Sequence, residues 1–356
     1  MTEVDIHIRR DGFTIRVNET FSGGITGIYG PSGAGKTSLL QAMAGLVMPQ
    51  QGQISHQGRT LFDAATRFSE PVKKRNIGYV FQEGRLFPHM SVAENLRYGI
   101  PQSGPGPVGF DQAVDLLQLE PLLHRKPSSI SGGEKQRTAL GRALLSNPRM
   151  LLLDEPFTAL DQQLRSAIIP FILGVHREAN IPVWVVSHDL PDLLRLTNRL
   201  LLLKDGVCQG HGNYHELLEQ ESALSLLGHG PLLNGLEMEV RRSEPGKILL
   251  TGKGLELTSQ SDGAGLKAGD RVRVGIAATD IALATGKVEG ISIRNQVRGT
   301  LNSIREVDGQ IVALVDAGQP MVVCLTREGM QALQLREGMP VWCLIKSVAV
   351  QLVREA

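Results

Sequence analysis

The chain has 356 residues, 42% of them hydrophobic, a formal net charge of +1 and three cysteines. Its length predicts two or three domains, and its balanced charge gives no electrostatic reason for a nucleic-acid partner. The scattered Cys208, Cys324 and Cys343 fit neither a disulfide framework nor a zinc site, which points to a reducing compartment. The first residues, MTEVDIHIRRDG, lack the apolar core of a signal peptide. No apolar run approaches the length that spans a bilayer, so membrane association is expected through a protein partner.

Up to about Leu227 strands alternate with helices. Strands are predicted at 13–17, 25–29, 77–80, 150–153, 183–186 and 199–203; MLLLD and VWVVS have the continuous apolar character of central strands in a largely parallel sheet. ITGIY leads into GPSGAGKT, Gly30 to Thr37, and TSLLQAMAGL continues as a helix. Strand, glycine loop and helix are what phosphate binding at a helix N-terminus needs. The amides of Gly30, Pro31, Ser32, Gly33, Ala34 and Gly35 (Pro31 lending only its fixed turn) would form the cradle, with Ser38 beside it. Lys36 would reach the β and γ phosphates, and the Thr37 hydroxyl would help hold Mg²⁺.

A proline- and glycine-rich loop, IPQSGPGPVG, precedes the helical spacing of DQAVDLLQL, so residues 92–146 are expected as a helical insertion between two sheet strands. Within it, ISGGEKQR opens a helix. Ser131 as N-cap and Glu134 three residues on would form a capping box. The same helix N-terminus, with Gly132 and Gly133, could face a phosphate. LLLDEP then ends an apolar strand in two acids. Asp154 is placed to bind the Mg²⁺ shell, and Glu155 to orient and polarise the attacking water.

Taken in this order, these motifs resemble the nucleotide-binding subunit of an ATP-binding-cassette (ABC) transporter. The resemblance implies further roles. Gln82 in YVFQE matches the glutamine that contacts Mg²⁺ or the attacking water beside the transmembrane partner. Asp161 in ALDQQ matches the aspartate that crosses the dimer interface, and His188 in VVSHD the histidine that contacts the γ-phosphate. The signature departs mildly from the common form, with Ile130 for Leu and Glu134 for Gln. Phe13 is the nearest candidate to stack on adenine, and equally a core residue of its strand. Two copies would sandwich two ATP molecules, Ser131 and Gly133 of one completing the site of the other, so that ATP binding closes the pair and hydrolysis reopens it.

Beyond LLGHGPLLNG short β-like runs dominate, separated by turns at Glu244-Pro245-Gly246, Ser261-Asp262-Gly263 and Asp308-Gly309, with one helix, REGMQAL, capped by Thr326. The expected architecture is an α/β P-loop ABC ATPase domain with a helical insertion (1–230), followed by a small all-β, OB-like barrel. Within the latter, 231–290 is an accessory segment and 291–356 the barrel proper. GISIRNQVRGTL and LREGMPVWCLIKSVAV resemble the small molybdate-binding-protein domain attached to importer ATPases. That resemblance implies an oxyanion site at Ser292, Arg294, Asn295, Lys346 and Ser347, where cations, hydroxyls and amides would bind molybdate or tungstate. The bland alternative is a dimerisation module with exposed charges.

FQEGRLFPHMSVAENLRYG is also similar to molybdate importer subunits. The whole chain is therefore expected to be the ATPase of a bacterial molybdate importer: a homodimer, peripheral on the cytoplasmic face of the inner membrane. Its expected partners are a permease and, through it, a periplasmic molybdate-binding protein. Cytoplasmic molybdate in the barrel could inhibit further uptake. Sulfate, thiosulfate or iron import, a soluble ABC protein and an oxyanion-storage module are the alternatives.

Overall fold

A computed structural model describes residues 1–354 apart from 11, 102, 103, 105, 229, 230, 261–265 and 308. The turn expected at Ser261-Asp262-Gly263, Asp308 of the next turn and part of the IPQSGPGPVG loop lie outside the described residues. The chain divides into two units: Met1–Asp189 with Arg199–His211, and Leu190–Asn198 with the residues from Gly212 onward.

The first unit begins with β1 (Thr2–Arg10), β2 (Phe13–Phe21), β3 (Ile25–Tyr29), α1 (Lys36–Ala44), β4 (Gln51–His56), β5 (Arg59–Asp63) and β6 (Phe68–Ser69). It continues through α2 (Val72–Arg75), β7 (Ile77–Val80), α3 (Val92–Gly99), α4 (Phe110–Leu116), α5 (Gly132–Leu145), β8 (Met150–Asp154), α6 (Gln162–Ala179) and β9 (Val183–Val186). Then, after α7 (Leu190–Leu196), which belongs to the second unit, come β10 (Arg199–Lys204) and β11 (Val207–Asn213). Among the described residues these strands form one sheet in the order β6-β5-β4-β1-β2-β11-β10-β3-β9-β8-β7. Its β10-β3-β9-β8-β7 half is parallel. β8 and β9 are buried along their whole length, which is why MLLLD and VWVV are unbroken apolar runs.

The other half, β1 with β2, β4, β5 and β6, is antiparallel. There Val4, Ile6 and Ile8 alternate inward with a period of two and join Ile15, Leu39, Met43 and Trp184 in the core. The helical insertion lies between β7 and β8, neighbouring parallel strands, as its sequence position requires.

The second unit adds α8 (Tyr214–Leu217) and α9 (Glu221–Leu227) to α7, then β12 (Leu233–Glu244), β13 (Lys247–Gly252), β14 (Leu255–Ser259), β15 (Arg271–Ala277) and β16 (Ile281–Ala284). After these come β17 (Asn295–Val307), β18 (Gln310–Asp316), β19 (Pro320–Leu325), α10 (Arg327–Ala332), β20 (Pro340–Ile345) and β21 (Gln351–Arg354). Thr326 caps α10 by accepting from the Gly329 amide at 3.0 Å.

The β-strands make two five-stranded antiparallel sheets, β14-β13-β12-β15-β21 and β16-β20-β17-β18-β19. One apolar cluster, from Leu236 and Val274 of the first to Leu301 and Val341 of the second, lies behind both. The sheets exchange edge strands. β16 leaves the earlier segment to pair with β20, and β21 returns from the chain's last residues to pair with β15. The segments 231–290 and 291–356 are thus interlocked. α7 to α9 belong to this β-rich unit, not to the sheet unit that their sequence position suggested.

Candidate functional site

The glycine loop follows β3. A Cβ on Gly30 would meet the Leu203 carbonyl oxygen at 2.0 Å, so only glycine lets the loop leave the sheet that closely. Gly35 caps α1 at φ 99°, and a Cβ there would press on Ile15 at 2.8 Å. The Lys36 ammonium donates to the carbonyls of Gly30 (2.7 Å) and Pro31 (2.8 Å), folding the side chain over the loop. Burial holds its pKa below the usual range, opposed by the charges of Glu155 and Asp154.

β8 delivers the two acids. Thr37 Oγ1 donates to Asp154 Oδ1 at 3.0 Å, and the Tyr79 hydroxyl donates to Oδ2 at 3.1 Å. Burial raises the Asp154 pKa, partly offset by these two hydrogen bonds. Hard oxygen donors, few in number, beside a phosphate cradle are the set Mg²⁺ favours, since it keeps waters and phosphate oxygens as its other ligands. Thr37 and Asp154 therefore fit the metal the sequence implies.

Glu155, buried and in the left-handed region at φ 50°, is held by its amide to the Val186 carbonyl at 3.0 Å and by the Thr158 hydroxyl on Oε2 at 3.2 Å. His188 Nδ1 lies 2.9 Å from the same Oε2. An ionised carboxylate only accepts, so the imidazole proton sits on Nδ1.

Phe13, Ser32, Gly33, Ala34, Gly35, Lys36, Thr37, Ser38, Gln82, Glu155 and His188 line one cavity of ≈ 490 Å³, within the range of small-ligand sites. The Phe13 ring has both of its expected attributes: it is on the cavity wall and also packs against the core. Ser131, Gly132, Gly133 and Asp161 do not line this cavity. Ser131 caps α5 in the predicted capping box: its Oγ accepts from the Glu134 amide at 3.3 Å, and Glu134 accepts from the Ser131 amide at 2.6 Å. Acting as an acceptor leaves the hydroxyl proton free to donate. Asp161 caps α6, accepting from the Leu164 amide at 2.9 Å. Both caps are exposed at helix starts.

In the second unit Ser292, Arg294, Lys346 and Ser347 line one cavity of ≈ 670 Å³, although the two pairs are over 50 positions apart in sequence. Among the described residues no acidic one lines it. Ser347 Oγ is shielded from solvent and has no hydrogen-bond partner, the condition of a hydroxyl placed for a ligand. Asn295 departs from the expectation. It is buried, and its amide is fully engaged with β14, accepting from the Thr258 N–H at 2.7 Å and donating to the Thr258 carbonyl at 2.9 Å. It works as a peptide-like clamp between the sheets and does not line the cavity.

Two positions escaped the sequence reading: Tyr79, whose only signal is its place two residues upstream of Phe81-Gln82, and Thr158, three residues after Glu155. Burial raises the pKa of all three thiols, Cys208 and Cys343 to about 12 and Cys324 to about 11. Among the described residues no helix is long and apolar enough to cross a membrane.

Residues 16–158 match the family model described as ABC transporter, and residues 291–352 match the TOBE domain. The chain is 38% identical over 355 residues to the molybdenum import ATP-binding protein ModC of Rhizobium etli, covering 98% of this chain and 99% of that one. It is 39% identical over 354 residues to the protein of the same name from Brucella abortus strain 2308, covering 98% and 96%. Among solved structures, the ATP-binding cassette MJ0796, a dimer in a post-hydrolysis state bound to ADP and Pi, superposes with a TM-score of 0.51 at 26% identity. That match covers 60% of this chain and 98% of that one.

Proposed function

The chain belongs to the family of molybdenum import ATP-binding proteins, ATP-hydrolysing subunits of ABC transporters, and from that membership we propose that it drives molybdate import through a transmembrane permease. As an importer ATPase it works as a dimer with permease subunits. The observation that carries the reading is the division of the nucleotide machinery. Lys36, Thr37, Gln82, Glu155 and His188 share one cavity, while Ser131 to Gly133 lie elsewhere on the same chain. Such a chain can complete its site only by offering Ser131 and the α5 N-terminus to a second copy.

Within that dimer the glycine loop binds and orients the phosphates, and Lys36 leaves its carbonyl partners for the β and γ oxygens. Thr37 and Asp154, with Gln82 nearby, would hold Mg²⁺, which would supply charge neutralisation at the phosphates. Glu155, fixed by Thr158 and His188, accepts a hydrogen bond from the attacking water and aligns it with the γ-phosphate. Phe13 stacks on the adenine. Hydrolysis removes the anion that joins the two copies and lets them part, and the permease converts that motion into transport. We place the protein on the cytoplasmic face of the inner membrane, served from outside by a periplasmic molybdate-binding protein. The second unit's cavity binds molybdate or tungstate and lowers uptake when cytoplasmic oxyanion is plentiful.

The test is uptake of radiolabelled molybdate by cells lacking their own ATP-binding subunit and supplied with the permease and this chain. Uptake restored by the natural chain and not by Glu155→Gln is expected. Restored sulfate uptake without molybdate uptake would overturn the cargo. In right-side-out vesicles preloaded with molybdate, unchanged uptake would remove the feedback role.

A further inference from the structure

The cavity that holds Ser292, Arg294, Lys346 and Ser347 has a second wall. It comes from the other sheet: Lys247 at the start of β13, and Thr258 and Gln260 at the end of β14. Lys247 follows the Pro245-Gly246 turn and is the register partner of Glu244 across the β12–β13 hairpin. That pairing makes Glu244 the obvious counter-charge. Its carboxylate is instead drawn to Arg242, with Oε1 at 2.7 Å from Nη2. Among the described residues no carboxylate pairs with Lys247, Arg294 or Lys346, and none lines the cavity.

Three uncompensated cations around one concavity repel one another, and the arrangement is relieved by an anion of matching charge. The two walls are also fixed to each other at the floor. Ser259 Oγ donates to the Val350 carbonyl at 2.7 Å, the Gln260 amide donates to the Ser347 carbonyl at 3.2 Å, and Asn295 clamps Thr258 from the other side. Lys247, exposed at the start of β13, lines the same cavity as Lys346.

We infer that Lys247 is a third cationic ligand of the oxyanion site, contributed by the opposite sheet, and that it sets the site's preference for tetrahedral dianions over monoanions of the same shape. The inference rests on reading this cavity as an oxyanion site. Arg294 and Lys346 alone balance a charge of two only when both engage fully, and as exposed side chains they are screened. A third cation on the facing wall makes a doubly charged ion the better occupant, whereas a singly charged ion gains less from it. Bridging both walls, the ion also ties the two sheets together.

The experiment is calorimetric titration of the full chain with sodium molybdate and with sodium perrhenate, a monoanion of the same shape. The natural chain is expected to bind molybdate the more tightly. Lys247→Met should weaken molybdate binding about tenfold while changing perrhenate binding much less, and Lys247→Arg should restore the preference. An unchanged thermal midpoint, expected for an exposed side chain at a turn, shows that the variant is folded. If the natural chain binds molybdate and Lys247→Met leaves both affinities unchanged, the role of Lys247 is overturned and the oxyanion site stands. If the natural chain hydrolyses ATP yet binds no molybdate, the site reading itself fails, and the inference with it.

Discussion

The two cavities differ in the charges that line them. In the first unit Lys36 stands among acids, with Asp154 and Glu155 both acting on its charge. In the second unit Lys247, Arg294 and Lys346 line a cavity with no acid among the described residues. The first arrangement suits a phosphate that arrives with a metal and must be cleaved, since acids are needed to hold the cation and align water. The second suits an anion that is bound, sensed and released unchanged. They differ also in completeness. Ser131 and Gly133 lie outside the cavity that Lys36, Glu155 and His188 line, whereas Lys247 and Lys346, from distant segments of one chain, line a single cavity.

The largest break in this contrast is Glu155→Gln. It removes the carboxylate that aligns water but leaves the phosphate cradle, so phosphate release should fall by about 10³-fold while molybdate titration is unchanged. Next, Ser131→Arg fills the α5 N-terminus that serves the other copy. ATPase activity should fall by about 10²-fold, with nucleotide binding to the isolated chain retained; equal loss of both would mean that the split is wrong.

Tyr79→Phe frees one oxygen of Asp154. The Mg²⁺ concentration for half-maximal activity should rise about tenfold with little change at saturation, whereas a packing role alone would lower activity at every Mg²⁺ concentration.

The smallest effect sharpens the second unit. His215 is buried there with Nε2 unpartnered, and burial, aided by the Arg273 charge, lowers its pKa to about 4 from an unfolded value near 6.5. The folded state thus binds the proton less well than the unfolded one. Stability is intact above pH 6.5 and is lost as pH falls toward 4, by about 1 kcal/mol at pH 5.5. Thermal melts at pH 7.5 and 5.5 should show that loss, and His215→Gln should diminish it.

How much of this was written in the sequence differs between the cavities for a physical reason. The nucleotide motifs are short and local: GPSGAGKT must be a tight loop, LLLDEP must end a buried strand, and Ser131 with Glu134 must cap a helix. The antiparallel strands β4, β5 and β6 were missed because segments such as QGQISH carry few apolar residues and resemble loops; β1 was missed although its Val4, Ile6 and Ile8 alternate. In the second unit Ser292, Arg294, Lys346 and Ser347 could be named together because each pair is local, and the structure lines one cavity with all four. Lys247, Thr258 and Gln260 were not, because only the stacking of two sheets brings β13 and β14 to that wall. Asn295 was misassigned because an amide beside an arginine resembles a ligand, whereas burial turned it onto the Thr258 backbone. Tyr79 stayed silent because a tyrosine in a strand gives no sign of what its hydroxyl meets.

The exchange of β16 and β21 between the sheets has a consequence for biosynthesis. While the ribosome is still making the later strands, β15 has β12 on one side and nothing on the other, and its outer edge stays open until residues 351–354 emerge. Both sheets therefore close late and nearly together. A nascent chain stalled in this region presents an unpaired strand to chaperones, and to other nascent chains of the same kind, until the last strand is added.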